Sequence, residues 1–310
     1  MDKIDQRDKS NEESVHKTVL LNEAIDGLNL KMGSIFFDST LGGGGHSEKV
    51  CKDFKGKVRI IAVDQDKDAL ARAERKLSAV GCRADLILSN FRRIDKVLET
   101  LGVRKIDAIL LDLGLSSDQF ESSGRGFSFQ VNEPLLMTFS AEGEKETITA
   151  KKIVNGWSQE TIADILFGYA DEKYARRIAR VIVEEREDKP IMTTFDLVGL
   201  IRKAVPVAYT KGKIHFATKT FQALRIAVND EIESLKEGLQ KGFEVLNIGG
   251  RIAVISFHST EDRVVKSFNK EKSLQSLGKI ITKKPITPSD EEIEKNFRAR
   301  SAKLRILEKI

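Results

Sequence analysis

The chain has 310 residues, 40% of them hydrophobic and 32% charged, with a formal net charge of +5 and a pI near 9.0. That supplies a core for one large or two moderate domains, and no stretch approaches the roughly 20 apolar residues of a membrane span, so no membrane partner is expected. The two cysteines, Cys51 and Cys82, form no C-x-x-C pair and the four histidines do not cluster, which argues against a metal site and for a reduced, cytoplasmic protein.

The opening residues, MDKIDQRDKSNEESVHK, are polar and lack the apolar run of a signal peptide. Residues 1–14 read as a disordered leader. Four short apolar runs follow, Ser34 to Asp38, Val58 to Asp64, Ala84 to Leu88 and Asp107 to Leu113. They have the character of buried parallel strands. Amphipathic stretches alternate with them, from Asp66 to Leu77 and from Phe91 to Leu101. This rhythm predicts an α/β doubly wound sheet with helices on both faces. After Leu113 it stops. Residues 120–218 open on the loop GRGFSFQ and continue with helical segments at Ser158 to Phe167, Glu172 to Arg186 and Thr194 to Ala204. They read as an inserted helical domain. Thr220 to Leu246 reads as one long amphipathic helix, ended by Gly249-Gly250. Arg251 to Phe257 is a fifth strand, and Lys279 to Lys283 with Ala302 to Leu307 can close the sheet as an antiparallel pair. The sheet domain is therefore discontinuous, 15–119 and 219–310.

The strongest local signal is DSTLGGGGHS, Asp38 to Ser47, at the handover from the first strand to a helix. Ligands of open α/β sheets bind beyond the carboxyl ends of the strands, and glycine lets the backbone approach them. A turn that binds nothing is the alternative, but a run of glycines carries an entropic penalty on folding. A G-x-G-x-x-G fingerprint does not fit: its last position falls on Ser47 or Glu48, depending on the starting glycine. No G-K-S/T follows, which excludes a P-loop. Asp64 ends the second strand, where a carboxylate can accept hydrogen bonds from ribose hydroxyls, as in dinucleotide enzymes and methyltransferases alike. Phe91 follows the third strand, where it can clamp an adenine or simply pack in the core. Asp112 ends the fourth and faces the same crevice. Together they form a ligand-shaped set.

For methyl transfer, cytosine C5 chemistry needs an attacking cysteine. Cys51 and Cys82 lie in or near helices away from the crevice, which leaves nitrogen or oxygen acceptors. The Asp/Asn-Pro-Pro-Tyr-like motif of many amine methyltransferases is absent after strand four, where the chain reads Asp112-Leu-Gly-Leu-Ser116. The residues alone leave the acceptor open. Lys173, Arg176, Arg177 and Arg180 share one helix face, and Arg298, Arg300, Lys303 and Arg305 cluster near the C-terminus. Each set fits a phosphate-binding stripe or an ordinary solvated face equally well. After strand five, His258 and Glu261 sit where a target base would lie, although Ser259 and Asp262 can also be read as a capping box.

Jointly these motifs resemble the ribosomal RNA small-subunit methyltransferase H family, also called MraW. The matching segments are HKTVLLNEA, DSTLGGGGHS, DAILLDLGLSSDQ, RGFSF, ATKTFQALRIAVNDE, GGRIAVISFHSTEDR and NFRARSAKLRI. They run from residue 16 nearly to the end. The resemblance implies a class I, Rossmann-like methyltransferase fold interrupted by a helical, substrate-recognising domain. It implies N4-methylation of a cytosine in the decoding region of 16S rRNA, within the small ribosomal subunit, with S-adenosylmethionine as donor. It also implies cofactor contacts from Gly44, Gly45, His46, Asp64, Phe91, Asp112 and Gln119. A homodimer is compatible with it. Where the family usually reads D-G-P-L-D-M-R-M, this chain has Asn132-Glu-Pro-Leu-Leu-Met-Thr-Phe139, with Leu136 and Thr138 replacing Asp and Arg. Phe216 and Lys219 stand where Pro and Arg are favoured. If the missing charges hold substrate, the substrate is shifted or the activity reduced. Two other readings stand beside this one: a methyltransferase acting on another RNA, and a non-catalytic ribosome-binding protein that keeps the cofactor pocket.

Overall fold

Phe36 and Phe37 are adjacent and both fully buried, yet they belong to different apolar layers. Side chains of a strand alternate between its faces, so two neighbours such as these can both be buried only with a packed layer on each side. The computed structural model describes residues 18–115, 120, 123–140 and 148–310. The expected leader and Gln119 lie outside these. The strands are β1 (Ile35–Asp38), β2 (Arg59–Asp64), β3 (Ala84–Leu88), β4 (Ile106–Asp112), β5 (Leu246–Ser256), β6 (Gly278–Ile280) and β7 (Lys303–Lys309). They form one sheet in the order β3-β2-β1-β4-β5-β7-β6. The first five are parallel to one another, while β7 runs antiparallel to both β5 and β6. This is the Rossmann-like, class I arrangement, and the closing antiparallel pair falls where the sequence placed it.

One face of the sheet is covered by α1 (Leu21–Leu28), α2 (Gly45–Asp53) and α3 (Lys67–Ala79), which bury Ile25, Val50 and Leu77 against Phe36, Ile60 and Leu110. On the other face α4 (Ile94–Thr100) packs Ile94 and Leu98 against Phe37, Ile61 and Ile109. Between β4 and β5 the chain leaves the sheet for α5 (Ala150–Gly156), α6 (Gln159–Ala170), α7 (Ala175–Asp188), α8 (Thr194–Ala204) and α9 (Val207–Thr210). These gather around their own core, which includes Ile153, Ile162, Leu166, Ile178 and Ile201. Helix α10 (Thr218–Asn229) adds Phe221 and Leu224 to that core and leads the chain back. The second face is then completed by α11 (Glu231–Val245) and α12 (Ser259–Leu274).

Three expectations need correction. The single helix from Thr220 to Leu246 is two helices, α10 and α11, broken at Asp230, which adopts the left-handed conformation at φ 50°. A short polar side chain such as Asp tolerates that region, which hydropathy cannot register. The fifth strand starts at Leu246, not after the glycine pair. A Cβ on Gly250 would lie 2.9 Å from the Asp107 carbonyl oxygen, so glycine there lets the ladder pass close to β4. The thiols expected to be reduced are instead joined: Cys51 of α2 and Cys82, just before β3, form a disulfide with Cα atoms 5.9 Å apart. Their separation of 31 residues gave no hint of it, because the pairing depends on how α2 and α3 dock on the sheet.

Candidate active site

Two carboxylates shape the glycine loop. Asp38, buried at the end of β1, accepts the Ser47 hydroxyl at 2.6 Å and the Thr40 N–H at 3.3 Å. Asp64, at the end of β2, accepts the Gly42 N–H at 2.8 Å and the Asp66 N–H at 2.9 Å. Gly42 and Gly44 take positive φ, 50° and 72°, a conformation most residues adopt only with strain. Gly44 is the N-cap of α2. Gly45 has a different reason to be glycine, since a Cβ there would overlap the Thr18 hydroxyl.

Two adjoining crevices open beyond the strand ends. The first, about 640 Å³, is lined by Ser39, Asp64, Gln65, Phe91, Glu231 and Glu261 among others. The second, about 690 Å³, takes Gly45, His46, Asp112, Phe257, Asn296 and Arg298. Thr40, Leu113 and Gly114 line both. The structure therefore brings Asp64 and Phe91 together with Glu261, and joins Gly45, His46 and Asp112 next door. Gly44 lines neither crevice, and Gln119 lies outside the described residues. Phe91 is half-buried and backs onto α11 at Gly238, where a Cβ would fall 2.6 Å from its ring.

The crevice walls are acidic, with Asp64, Glu231 and Glu261 in one and Asp112 in the other. Behind them, burial pushes the Asp38 carboxyl up to about 6, against the pull of its Ser47 and Thr40 hydrogen bonds. Burial raises Asp64 as well. Asp112 lies well above the usual carboxylate range through burial, reinforced by repulsion from Asp38 and Glu261. His46 Nδ1 is 3.8 Å from Asp112 Oδ2. Asp112 Oδ1 is buried without a hydrogen-bond partner among the described residues.

His258 and Glu261 form the mouth of α12. His258 Nδ1 accepts the Glu261 N–H at 3.3 Å, and Glu261 Oε2 accepts the Phe257 N–H at 2.9 Å. This reciprocal cap replaces the one read from Ser259 and Asp262. His258 Nε2 lies 3.0 Å from Glu261 Oε1, an ion-pair approach rather than an aligned hydrogen bond. Burial alone would raise Glu261, but His258 and Arg225 outweigh it and hold the carboxyl below its ordinary value. The ligand atoms of Glu231, His258 and Glu261 lie within 4.8 Å of one another, a spacing a metal ion can use. Arg225, however, already grips both oxygens of Glu231, at 2.8 and 2.9 Å. Its guanidinium supplies the positive charge that an ion would bring.

The segment carrying the family departure is clamped over this region, which the sequence did not reveal. Arg125 donates to Asp66 Oδ2 at 2.7 Å and to the Phe139 carbonyl oxygen at 2.5 Å. Asn229 accepts the Phe139 N–H and donates to the Met137 carbonyl. Phe139 lines the first crevice. Thr138 is buried and donates to the Ser140 carbonyl, while Leu136 is half-buried. Lys173, Arg176, Arg177 and Arg180 are all exposed. Lys173 precedes α7 rather than sharing its face, and lies over the Tyr174 and Tyr209 rings. The turn before it touches α12: Thr260 donates to the Tyr169 carbonyl, and Arg263 approaches Asp171 at 3.7 Å. In the C-terminal basic cluster, Lys303 and Arg305 are both committed to Asp262.

A sequence profile of the MraW methylase family matches residues 13–310. The chain belongs to that family. It is 44% identical over 310 residues to the ribosomal RNA small subunit methyltransferase H of Brevibacillus brevis, spanning 95% of this chain and 98% of that protein. The protein of the same name from Carboxydothermus hydrogenoformans is 46% identical with the same coverage. Among solved structures, an rRNA methylase from Streptococcus thermophilus is similar at 16% identity over 92% of this chain and 93% of that one, with a TM-score of 0.42. As an MraW methylase, the chain takes its methyl group from S-adenosylmethionine. The site suits such a donor. Asp64 and Asp112 line it with carboxyls that burial raises above their ordinary range, and Asp112 offers a buried oxygen without a hydrogen-bond partner among the described residues. Among the described residues, no helix is long and apolar enough to cross a membrane.

Proposed function

We propose that this MraW methylase transfers the methyl group of S-adenosylmethionine to the N4 amine of a cytosine in the decoding region of 16S rRNA, presented within the small ribosomal subunit. The names of its relatives support the substrate class. The observation that carries the reading is the pair of joined crevices, with Asp64, Phe91 and Glu261 lining one and the glycine loop and Asp112 the other. In this reading Asp64 accepts the ribose hydroxyls and Phe91 lies against the adenine. Gly44, Gly45 and His46 hold the loop close to the methionine part, and Asp112 Oδ1 accepts its ammonium. Gln119 joins this set on the family resemblance alone. The donor supplies an electrophilic methyl on a sulfonium centre. The chain's own task is to place the amine in line with it. Glu261 accepts a hydrogen bond from the N4 amine, and His258 positions that carboxylate and keeps it ionised.

The helical body, with Lys173, Arg176, Arg177 and Arg180, contacts RNA phosphates, which fix position without reading sequence. The test is incubation of small subunits that lack the modification with methyl-labelled S-adenosylmethionine, followed by mass mapping of the nucleosides. A single labelled N4-methylcytidine in the decoding region is expected. Label on another atom, another base or no base overturns the proposal.

A further inference from the structure

Phe297 is 68% exposed, an unusual place for an aromatic ring in a well-packed turn. It opens the short 3₁₀ turn Phe297–Ser301. That turn is held by local contacts. Asn296 accepts the Arg298 N–H at 3.2 Å, and Ala299 is fully buried in the sheet core. The Arg300 guanidinium lies 4.1 Å from the centre of the Phe297 ring and also donates to the Phe297 carbonyl at 3.1 Å. One face of the ring is thus backed by a cation and the other faces solvent. The residues on either side, Asn296 and Arg298, line the second crevice beside Asp112 and Phe257. Arg298 in turn lies 5.0 Å over the Phe120 ring. The other two basic residues of this cluster are tied to Asp262, and Arg300 is the one that lies against the ring.

We infer that Phe297 and Arg300 form a stacking platform for an RNA base next to the target cytosine. The inference rests on the proposed function. A cytosine drawn into the crevice leaves its neighbour without a stacking partner, and proteins that read unpaired RNA meet such bases with aromatic rings and arginine planes. An exposed, arginine-backed ring next to residues that line the crevice supplies that partner. The Arg300 guanidinium against the ring places a positive charge beside the stacked base, which an apolar contact with a ribosomal protein would not need.

Methyl transfer to small subunits by wild type, Phe297→Ala, Phe297→Trp and Phe297→Leu separates the possibilities. Phe297→Ala raises KM for the particle about tenfold, a typical loss for one base–aromatic stack, while kcat and S-adenosylmethionine affinity hold. Phe297→Trp restores KM and Phe297→Leu does not. An unchanged KM in Phe297→Ala overturns the platform. Restoration by Phe297→Leu as full as by Phe297→Trp also overturns it, and points to an apolar protein contact. If the wild type transfers no methyl to small-subunit RNA, the functional reading fails and the platform falls with it. Transfer by wild type with no effect of Phe297→Ala removes the platform alone.

Discussion

Asp38, Asp64 and Asp112 end three neighbouring strands, and burial holds each of them above the ordinary carboxylate range. A cationic donor entering the crevice reverses that balance, because a nearby positive charge favours the ionised form. Binding of S-adenosylmethionine should therefore release protons, so affinity falls as the pH drops below about 6, where protons compete for Asp38. Calorimetry in buffers of different ionisation heat measures the release directly. S-adenosylhomocysteine, which lacks the sulfonium charge, should release fewer. Stability has the opposite sign. A raised carboxyl pKa means that the folded state binds its proton more tightly than the unfolded chain. The stability contributed by Asp38 is therefore present at low pH and is lost as the pH rises from about 4 through about 6. A shift of this size corresponds to about 3 kcal/mol. Asp38→Asn should flatten that decline in urea titrations at pH 4, 5 and 7, while keeping an acceptor for Ser47. Asp64→Ala removes the anchor of the Gly42 N–H along with the expected ribose contact. A loss of roughly 1–3 kcal/mol in cofactor binding is expected, and unchanged affinity in a folded variant would exclude the role.

At the level of elements, the parallel strands were legible because strands buried on both faces leave continuous apolar runs. The glycine loop was legible because few backbones need so many glycines together. Other features left no local trace. The clamp joins Arg125 to Asp66 and Asn229 to Phe139 across 59 and 90 residues of sequence, and neither partner is unusual where it stands. The break at Asp230 was hidden by uninterrupted helical periodicity through α10 and α11. It gives a direct test. Asp230→Gly should be nearly neutral, whereas Asp230→Val should lower stability by about 1–2 kcal/mol, because a side chain in the left-handed region meets the following carbonyl. Denaturant titration of the two variants compares them; equal stability would show that the bend does not need that conformation.

For the whole molecule, the two crevices lie at the strand ends of the sheet, while Lys173, Arg176, Arg177 and Arg180 lie on or just before the helices that pack around a separate apolar core. Replacing Lys173, Arg176, Arg177 and Arg180 with glutamine should weaken particle binding and reduce its salt slope by roughly one per lost phosphate contact, with cofactor affinity unchanged. Comparing small subunits, deproteinised 16S rRNA and a short oligonucleotide should show a preference for the particle. Equal methylation of all three would place recognition in local base contacts instead.

The strand order has a further consequence, for the order of assembly. β7 follows β6 in the chain yet lies between β5 and β6. Before its seven residues dock, β5 has no neighbour on that side and β6 has no hydrogen-bonded strand at all among the described residues. An open strand edge invites pairing with other chains, and long-range pairings form late in folding. A chain cut before Lys303 should therefore self-associate as it refolds, even with every crevice-lining residue in place. One late segment thus decides whether the rest of the sheet matures as an enzyme or waits as an adhesive edge.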